Sequence, residues 1–156
     1  MTTLVVCIDR AGDLAGGADP PVVGREAIES LVVEVGVEDP EDSGVNSLLE
    51  GLRVARDLEA DGEAAVVATV SGSGDAISAD RAIARQVEAL IDEHDPDSAV
   101  VVVDSAEDER LVHIVESRLT VDAVDRVVVR QARDIESTYY LLKQFLADEE
   151  LRQTVL

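Results

Sequence analysis

The sequence is poorest in aromatic residues and cysteine. Of its 156 residues only Tyr139, Tyr140 and Phe145 are aromatic and none is tryptophan, so the core must be built from aliphatic side chains. The single cysteine, Cys7, excludes an internal disulfide and any metal site made of several cysteines. Because Cys7 lies within an apolar run, we expect a small buried side chain rather than a reactive thiol. No H-E-x-x-H motif and no Ser/His/Asp arrangement is present, which argues against a zinc hydrolase or a hydrolytic triad.

Basic residues are also scarce, and lysine is nearly absent. Thirty-four acidic residues face thirteen basic ones, which gives a net charge of −21, and Lys143 is the only lysine. A dense carboxylate surface keeps salt-adapted proteins solvated, so this balance indicates a halophilic organism. The same charge repels phosphate backbones, so we expect no nucleic-acid partner.

Long apolar runs are missing as well. The longest are about five residues, far short of the roughly twenty that a membrane-spanning helix needs. The length is typical of one domain. We therefore expect residues 1–156 to form a single soluble α/β domain in the cytoplasm, with no signal peptide before its first strand.

Apolar runs of strand length alternate with helical patterns along the chain. The strands are predicted at 3–8, 64–70, 98–104 and 125–131. The helices are predicted from residue 25, from residue 42 or 43, over 77–93, over 105–119 and from residue 134. Strands that are apolar throughout, each followed by helix, indicate a parallel sheet that is covered on both faces. The predicted fold is a three-layer, doubly wound, mostly parallel sheet of four to five strands, Rossmann-like or flavodoxin-like.

In such a sheet the carboxyl ends of all parallel strands meet at one edge, where ligands bind. The strand ends here carry charged, hydroxyl and glycine residues, with Arg130 closing the last strand. The predicted ligand-binding residues are Asp9, Arg10, Arg25, Asp42, Ser43, Asn46, Ser71, Gly72, Ser73, Gly74, Asp104 and Ser105.

Two of these strand ends allow opposing interpretations. The stretch "SGSGD" (71–75) is either a phosphate cradle or a plain strand-to-helix turn that Asp75 caps. Acidic residues after the third predicted strand either favour the helix dipole or, together with Asp9, hold Mg²⁺. The candidate metal ligands are Asp9, Asp104, Glu107 and Asp108.

The long loop after the first strand is flanked by two arginines. We predict that residues 10–24 fold over the sheet edge and bound a pocket, with Arg10 and Arg25 contacting an anion. The alternative is that both arginines pair with neighbouring acids such as Asp9, Asp39 or Asp42.

Several phrases together resemble the archaeal family catalogued as domain of unknown function 373. They are "CIDR", "GREA", "EDPEDSGVN", "DSAEDE", "VDRVVVRQ" and "ESTYYLLKQFL", in the family's order, and the resemblance runs from about residue 3 to residue 154. The resemblance implies a soluble region at the cytoplasmic face of a membrane protein, followed in the full-length chain by transmembrane helices. It implies no known activity.

These features lead to one principal expectation and two alternatives. The principal one is a non-catalytic, ligand-sensing or regulatory domain of an archaeal membrane protein, which binds a small anionic or nucleotide-like ligand at the sheet edge. The first alternative is a Mg²⁺-dependent phosphoryl-transfer enzyme or phosphate-ester hydrolase, with Mg²⁺ on Asp9, Asp104 and Asp108. The second is a dimerisation scaffold. The last predicted helix has apolar residues outside its core-facing stripe, Leu141 and Phe145, which favours a homodimer or contact with the membrane helices.

Overall fold

The computed structural model describes residues 1–9, 21–38, 43–72, 74–104 and 109–127. These ranges contain five strands and four helices. In chain order the elements are β1 (Thr2–Asp9), β2 (Val22–Val23), α1 (Arg25–Glu38), α2 (Ser43–Ala60), β3 (Ala64–Ser71), α3 (Ala76–His94), β4 (Ser98–Asp104), α4 (Glu109–Glu116) and β5 (Val121–Val127).

The strands form one sheet in the order β2-β3-β1-β4-β5. Four of them are parallel, and only β2 runs antiparallel, beside β3. Counted along the chain, the parallel strands have the order second, first, third, fourth, which is the flavodoxin-like order of a doubly wound fold. The predicted mostly parallel sheet is therefore confirmed, and of the two named alternatives the strand order matches the flavodoxin-like one.

Two aliphatic cores lie on opposite faces of the sheet and make the fold three-layered. On one face α1 and α2 pack against inward side chains of the strands, including Val5, Cys7 and Val67. On the other face α3 and α4 cover a second set, including Val6 and Val101. Six consecutive residues of β1 and six of β4 are buried, because these central strands are covered on both faces.

Local signals set the bounds of α3. The Asp75 side chain caps its first turn by accepting a hydrogen bond from the Ser78 amide at 2.8 Å. At the other end Asp95 adopts a left-handed conformation, φ 46°, and its amide donates to the Ile91 carbonyl. The predicted helix over 77–93 is confirmed and is one residue longer at each end.

The structure differs from the sequence prediction at two strands. The two-residue β2 lies within the predicted loop, and so short a strand produces no periodic signal in the sequence. The last strand begins at Val121 rather than at residue 125, and residues 128–131 lie outside the described part. β5 is an edge strand of mostly exposed and half-buried residues, so apolar and polar residues are mixed where a continuous apolar run was expected.

Candidate functional site

Three adjacent parallel strands bring predicted site residues to one edge of the sheet. Asp9, at the end of β1, is paired in register with Ser71, at the end of β3. On the other side of β1, Cys7 is in register with Val102 of β4. Asp9 follows Cys7 by two residues, and Asp104 follows Val102 by two residues. Asp9 and Asp104 therefore lie level with each other on adjacent strands. The predicted convergence of Asp9, Ser71 and Asp104 is confirmed, while their role in binding stays a prediction.

The boundary between β1 and β4 is the switch point of this fold. The connection from β1 to β3 passes through α1 and α2 on one face, whereas α3 and α4 occupy the other face. In doubly wound sheets the crevice where connections leave in opposite directions is the usual place of a ligand. Asp9 and Asp104 lie on its two sides.

The first turn of α2 also lies at this edge. α2 packs against β1, β3 and β4, and its last turn leads directly into the start of β3, so its beginning points to the opposite end of the strands. The thiol of Cys7 donates to the Ser47 carbonyl at 3.5 Å, just after this turn, and so links the beginning of α2 to β1. Two predicted site residues, Ser43 and Asn46, lie in the first turn; the Asn46 amide nitrogen is buried, and for Ser43 only the backbone is described.

Gln86 of α3 holds the end of β3, and sequence reasoning missed it. Its side-chain oxygen accepts a hydrogen bond from the Ser71 amide at 2.8 Å. Its side-chain nitrogen donates to the Ser71 carbonyl at 2.7 Å. Gln86 thus bonds to β3 two residues beyond Thr69, the last position that pairs with β2. The sequence feature that could have indicated it is a glutamine among core positions of the helix, three residues after Ile83 and one before Val87.

The described residues of the "SGSGD" stretch, all but Ser73, connect β3 to α3. The Gly72 amide donates to the Asp9 carbonyl at 2.9 Å, so it completes the sheet and is not available to a phosphate. The Asp75 carboxylate occupies the start of α3, and the hydrogen bond from Ser78 lowers the pKa of this carboxyl. Gly74 has a φ of +76°, which glycine adopts without strain. These contacts favour the capped turn over the phosphate cradle; Ser73 lies outside the described residues.

The structure does not bring Arg25 to the edge. The amide just before it donates to the Val67 carbonyl at 2.8 Å, four residues before Ser71 and so roughly 13 Å back along β3. Arg25 instead lies 3.9 Å from Glu29 and 3.8 Å from Glu59, near the end of α2. Antiparallel β2 leads the chain back along β3 and so places Arg25 away from the edge, while its contact with an anion stays a prediction. Pairing with acids is observed, although the partners differ from the three that the sequence suggested.

Several predicted site residues lie outside the described ranges. They are Arg10, Asp42, Ser73, Ser105, Glu107 and Asp108, together with most of the 10–24 loop, Arg130 and the last predicted helix. Two of the four candidate Mg²⁺ ligands, Asp9 and Asp104, are therefore placed and two are not. Within the described ranges no three His, Cys, Asp or Glu side chains are grouped closely enough to hold a metal ion.

A second polar cluster, between α2 and β5, was not predicted. Arg53 donates to Glu50 and, at 2.8 Å, to Asp57, and it lies 3.8 Å from Asp125 of β5. Partial burial, followed by a hydrogen bond to Glu50 and its negative charge, raises the pKa of Asp125, which Arg53 opposes. The cluster brings residues of α2 together with Asp125, about seventy positions further along the chain, so no local sequence pattern predicts it.

Cys7 lies beneath this cluster and is 1% exposed. Burial, with smaller contributions from Glu50 and Asp125, raises the pKa of its thiol to about 12. The thiol is therefore protonated at neutral pH, which confirms the expected buried, unreactive cysteine.

Together these features define an α/β domain of the doubly wound type, with two acidic residues at the crevice where such domains bind ligands. A family model described as a domain of unknown function, DUF373, matches residues 2–156. The chain belongs to this family, as the resemblance of its sequence phrases implied.

Two curated relatives come from archaea. An uncharacterised protein of Archaeoglobus fulgidus is 40% identical over 156 residues, which cover 98% of this chain and 45% of that protein. An uncharacterised protein of Methanocaldococcus jannaschii is 36% identical over 145 residues, which cover 92% of this chain and 40% of that protein. The chain thus spans less than half the length of these relatives. No solved structure matches it.

None of the described helices is both long enough and apolar enough to cross a bilayer.

Proposed function

We propose that this chain is a ligand-sensing or regulatory domain that binds a small anionic or nucleotide-like ligand at the carboxyl edge of its sheet. The observation that carries the proposal is the placement of Asp9 and Asp104 at equal height on two sides of the β1/β4 switch point. A carboxylate at such a crevice accepts hydrogen bonds from ligand hydroxyl groups, as the acidic residue of a dinucleotide site does with a ribose.

Regulation by this domain requires a further segment on which it acts. The curated relatives exceed this chain by more than its own length. We place the domain at the cytoplasmic face of a membrane protein, with the ligand signal passing to membrane helices of the full-length chain. We further propose that the domain self-associates as a homodimer.

The same two carboxylates support a second candidate, a Mg²⁺-dependent phosphoryl-transfer enzyme or phosphate-ester hydrolase. Mg²⁺ is bound by one or two carboxylates together with waters and substrate phosphates. Asp9 and Asp104 would supply those carboxylates, and the ion would stabilise charge on the phosphoryl group.

Thermal unfolding in molar KCl separates these candidates. The chain is screened against nucleotides with and without Mg²⁺, and phosphate release is measured in parallel. Asp9→Asn and Asp104→Asn test the edge, and Asp122→Asn is the control because it removes the same charge from an exposed position near the start of β5.

A melting shift without Mg²⁺ that both edge variants lose and the control retains supports the sensor. A shift that requires Mg²⁺, with phosphate release, supports the enzyme. If no nucleotide shifts the melting temperature, or if all three variants behave alike, the edge is not the binding site. A concentration-dependent dimer without any ligand would then favour the scaffold.

A further inference from the structure

A groove between α3 and α4 concentrates the scarce cations of this chain. Its volume is about 490 Å³, and an adjoining depression of about 410 Å³ shares three of its residues. Four of the twelve arginines line this surface, namely Arg81, Arg85, Arg110 and Arg118. A protein with a net charge of −21 thus carries a local patch of the opposite sign.

Two of these arginines have no acidic partner among the described residues. Arg81 and Arg85 are exposed and one helical turn apart, and neither makes a salt bridge within the part of the chain that the structure describes. Like charges at this spacing repel each other and destabilise a helix. Glu88, one turn beyond Arg85, pairs instead with Arg118 at 2.9 Å.

Arg118 closes the far side of the groove in a fixed orientation. Besides the bond to Glu88, its guanidinium donates to the Ile114 carbonyl at 2.9 Å and to the Ser117 hydroxyl at 2.8 Å. An arginine held in this way is preorganised, while Arg81 and Arg85, opposite it, make no salt bridge with any residue that the structure describes. Guanidinium groups match phosphate oxygens in pairs of hydrogen bonds, so the three side chains together suit an anion with several phosphate groups.

The groove lining also limits the kind of ligand. Its volume falls in the usual range of small-molecule sites, roughly 300–1,000 Å³. Among the described residues that line the two depressions there is no Phe, Tyr or Trp, and the one ring, His113, lies in the adjoining depression, so the groove itself offers no ring on which a base would stack. In molar salt the screening length is only about 3 Å, so the negative field of the whole protein is suppressed while contact hydrogen bonds persist.

We propose that the α3/α4 groove is a second, independent binding site for a small polyphosphate anion, held by Arg81, Arg85 and Arg118. It lies on the outer surface of one helical layer, whereas the site proposed above lies at the sheet edge. Its ligand needs no Mg²⁺, because the guanidinium groups supply the positive charge.

Calorimetric titration with inorganic tripolyphosphate tests this proposal, with the 156-residue chain in KCl and EDTA. Arg81→Gln and Arg85→Gln each remove a free guanidinium, and both side chains are exposed, so the variants are expected to fold. Arg56→Gln is the matched control: Arg56 is an exposed helical arginine on α2, across the sheet. We expect saturable binding, weakened about tenfold by each groove substitution and unchanged by the control, since a charged hydrogen bond contributes about 1.5 kcal/mol or more.

Four outcomes overturn the proposal. They are the absence of saturable binding at millimolar tripolyphosphate, an equal loss in the Arg56→Gln control, binding that disappears in EDTA, and a concentration-dependent dimer that the groove substitutions abolish. The third outcome would assign the anion to the carboxylates at the sheet edge, and the fourth would make the groove a contact between copies of the chain.

Discussion

Replacing Gln86 by alanine tests how the end of β3 is held at the sheet edge. In the native structure both backbone groups of Ser71 are bonded to the Gln86 side chain, at 2.8 Å and 2.7 Å, and Ser71 is only 3% exposed. Alanine would leave a nearly buried amide and a nearly buried carbonyl without their partner.

The magnitude follows from these two groups. A buried donor or acceptor that loses its partner costs about 1–3 kcal/mol. Water entering from the nearby edge would recover part of this, so we expect Gln86→Ala to lower the free energy of unfolding by about 2–4 kcal/mol. For a chain of this length that corresponds to a fall in Tm of roughly 5–15 °C.

Urea unfolding in molar KCl measures this loss, and two further variants identify its cause. Gln86→Met keeps the length of the side chain without its polar groups, so it should lose nearly as much as Gln86→Ala. Glu93→Ala, at an exposed position of the same helix, should change stability by less than about 0.5 kcal/mol. Amide exchange at Ser71 should accelerate in both Gln86 variants. A loss below about 0.5 kcal/mol for Gln86→Ala, or full stability of Gln86→Met, would refute the role assigned to the amide.

Three further changes have definite expected results. Gly51→Ala should lower the free energy of unfolding by about 1–3 kcal/mol, because the added Cβ would lie 2.4 Å from the Cys7 sulfur. In a Cys7→Ala background, denaturant unfolding should show that most of this loss is restored. An equal loss in both backgrounds would contradict the explanation. The raised pKa of Asp125 means that the native state holds this proton more tightly than the unfolded chain, so stability should fall as pH rises from about 4 through the raised pKa. Asp125→Asn should remove that part of the pH dependence in unfolding curves between about pH 4 and 7, and an unchanged profile would contradict it. Finally, the net charge of −21 predicts a higher Tm in molar KCl than in dilute buffer, and equal values would count against a halophilic protein.

The sequence predicted the sheet and one part of the candidate site for the same physical reason. Central parallel strands are covered on both faces, so β1, β3 and β4 appear as continuous apolar runs, and their carboxyl ends must share an edge. The convergence of Asp9, Ser71 and Asp104 follows from that rule without knowledge of any side-chain contact. The same rule gave no information on the strand order, which depends on how the connections cross.

The predictions that failed depended on tertiary contacts, which the local sequence does not reveal. Arg25 was assigned to the edge because it ends the loop after β1, but the two-residue β2 reverses the chain and carries Arg25 to Glu59. Gln86 and the Glu50–Asp125 contact depend on which helix face meets which strand, and neither has a signature in the local sequence.

In a chain of this composition, the positions of basic residues say more about a binding site than the positions of acidic residues do. Acidic residues are needed throughout the surface for solvation, so finding several together, as at Asp104 and beyond, has little meaning without a placed ligand. Arginines are few, and an acidic surface offers each of them several neighbouring carboxylates. Arg53 and Arg118 take such partners, at 2.8 Å and 2.9 Å. Arg81 and Arg85 take none within the described ranges, although Glu88 lies one turn away from Arg85. This pair of cations, without an acidic partner in the described ranges, is the observation behind the proposed anion site, and for that reason the α3/α4 groove is a sharper target for experiment than any acidic cluster in the chain.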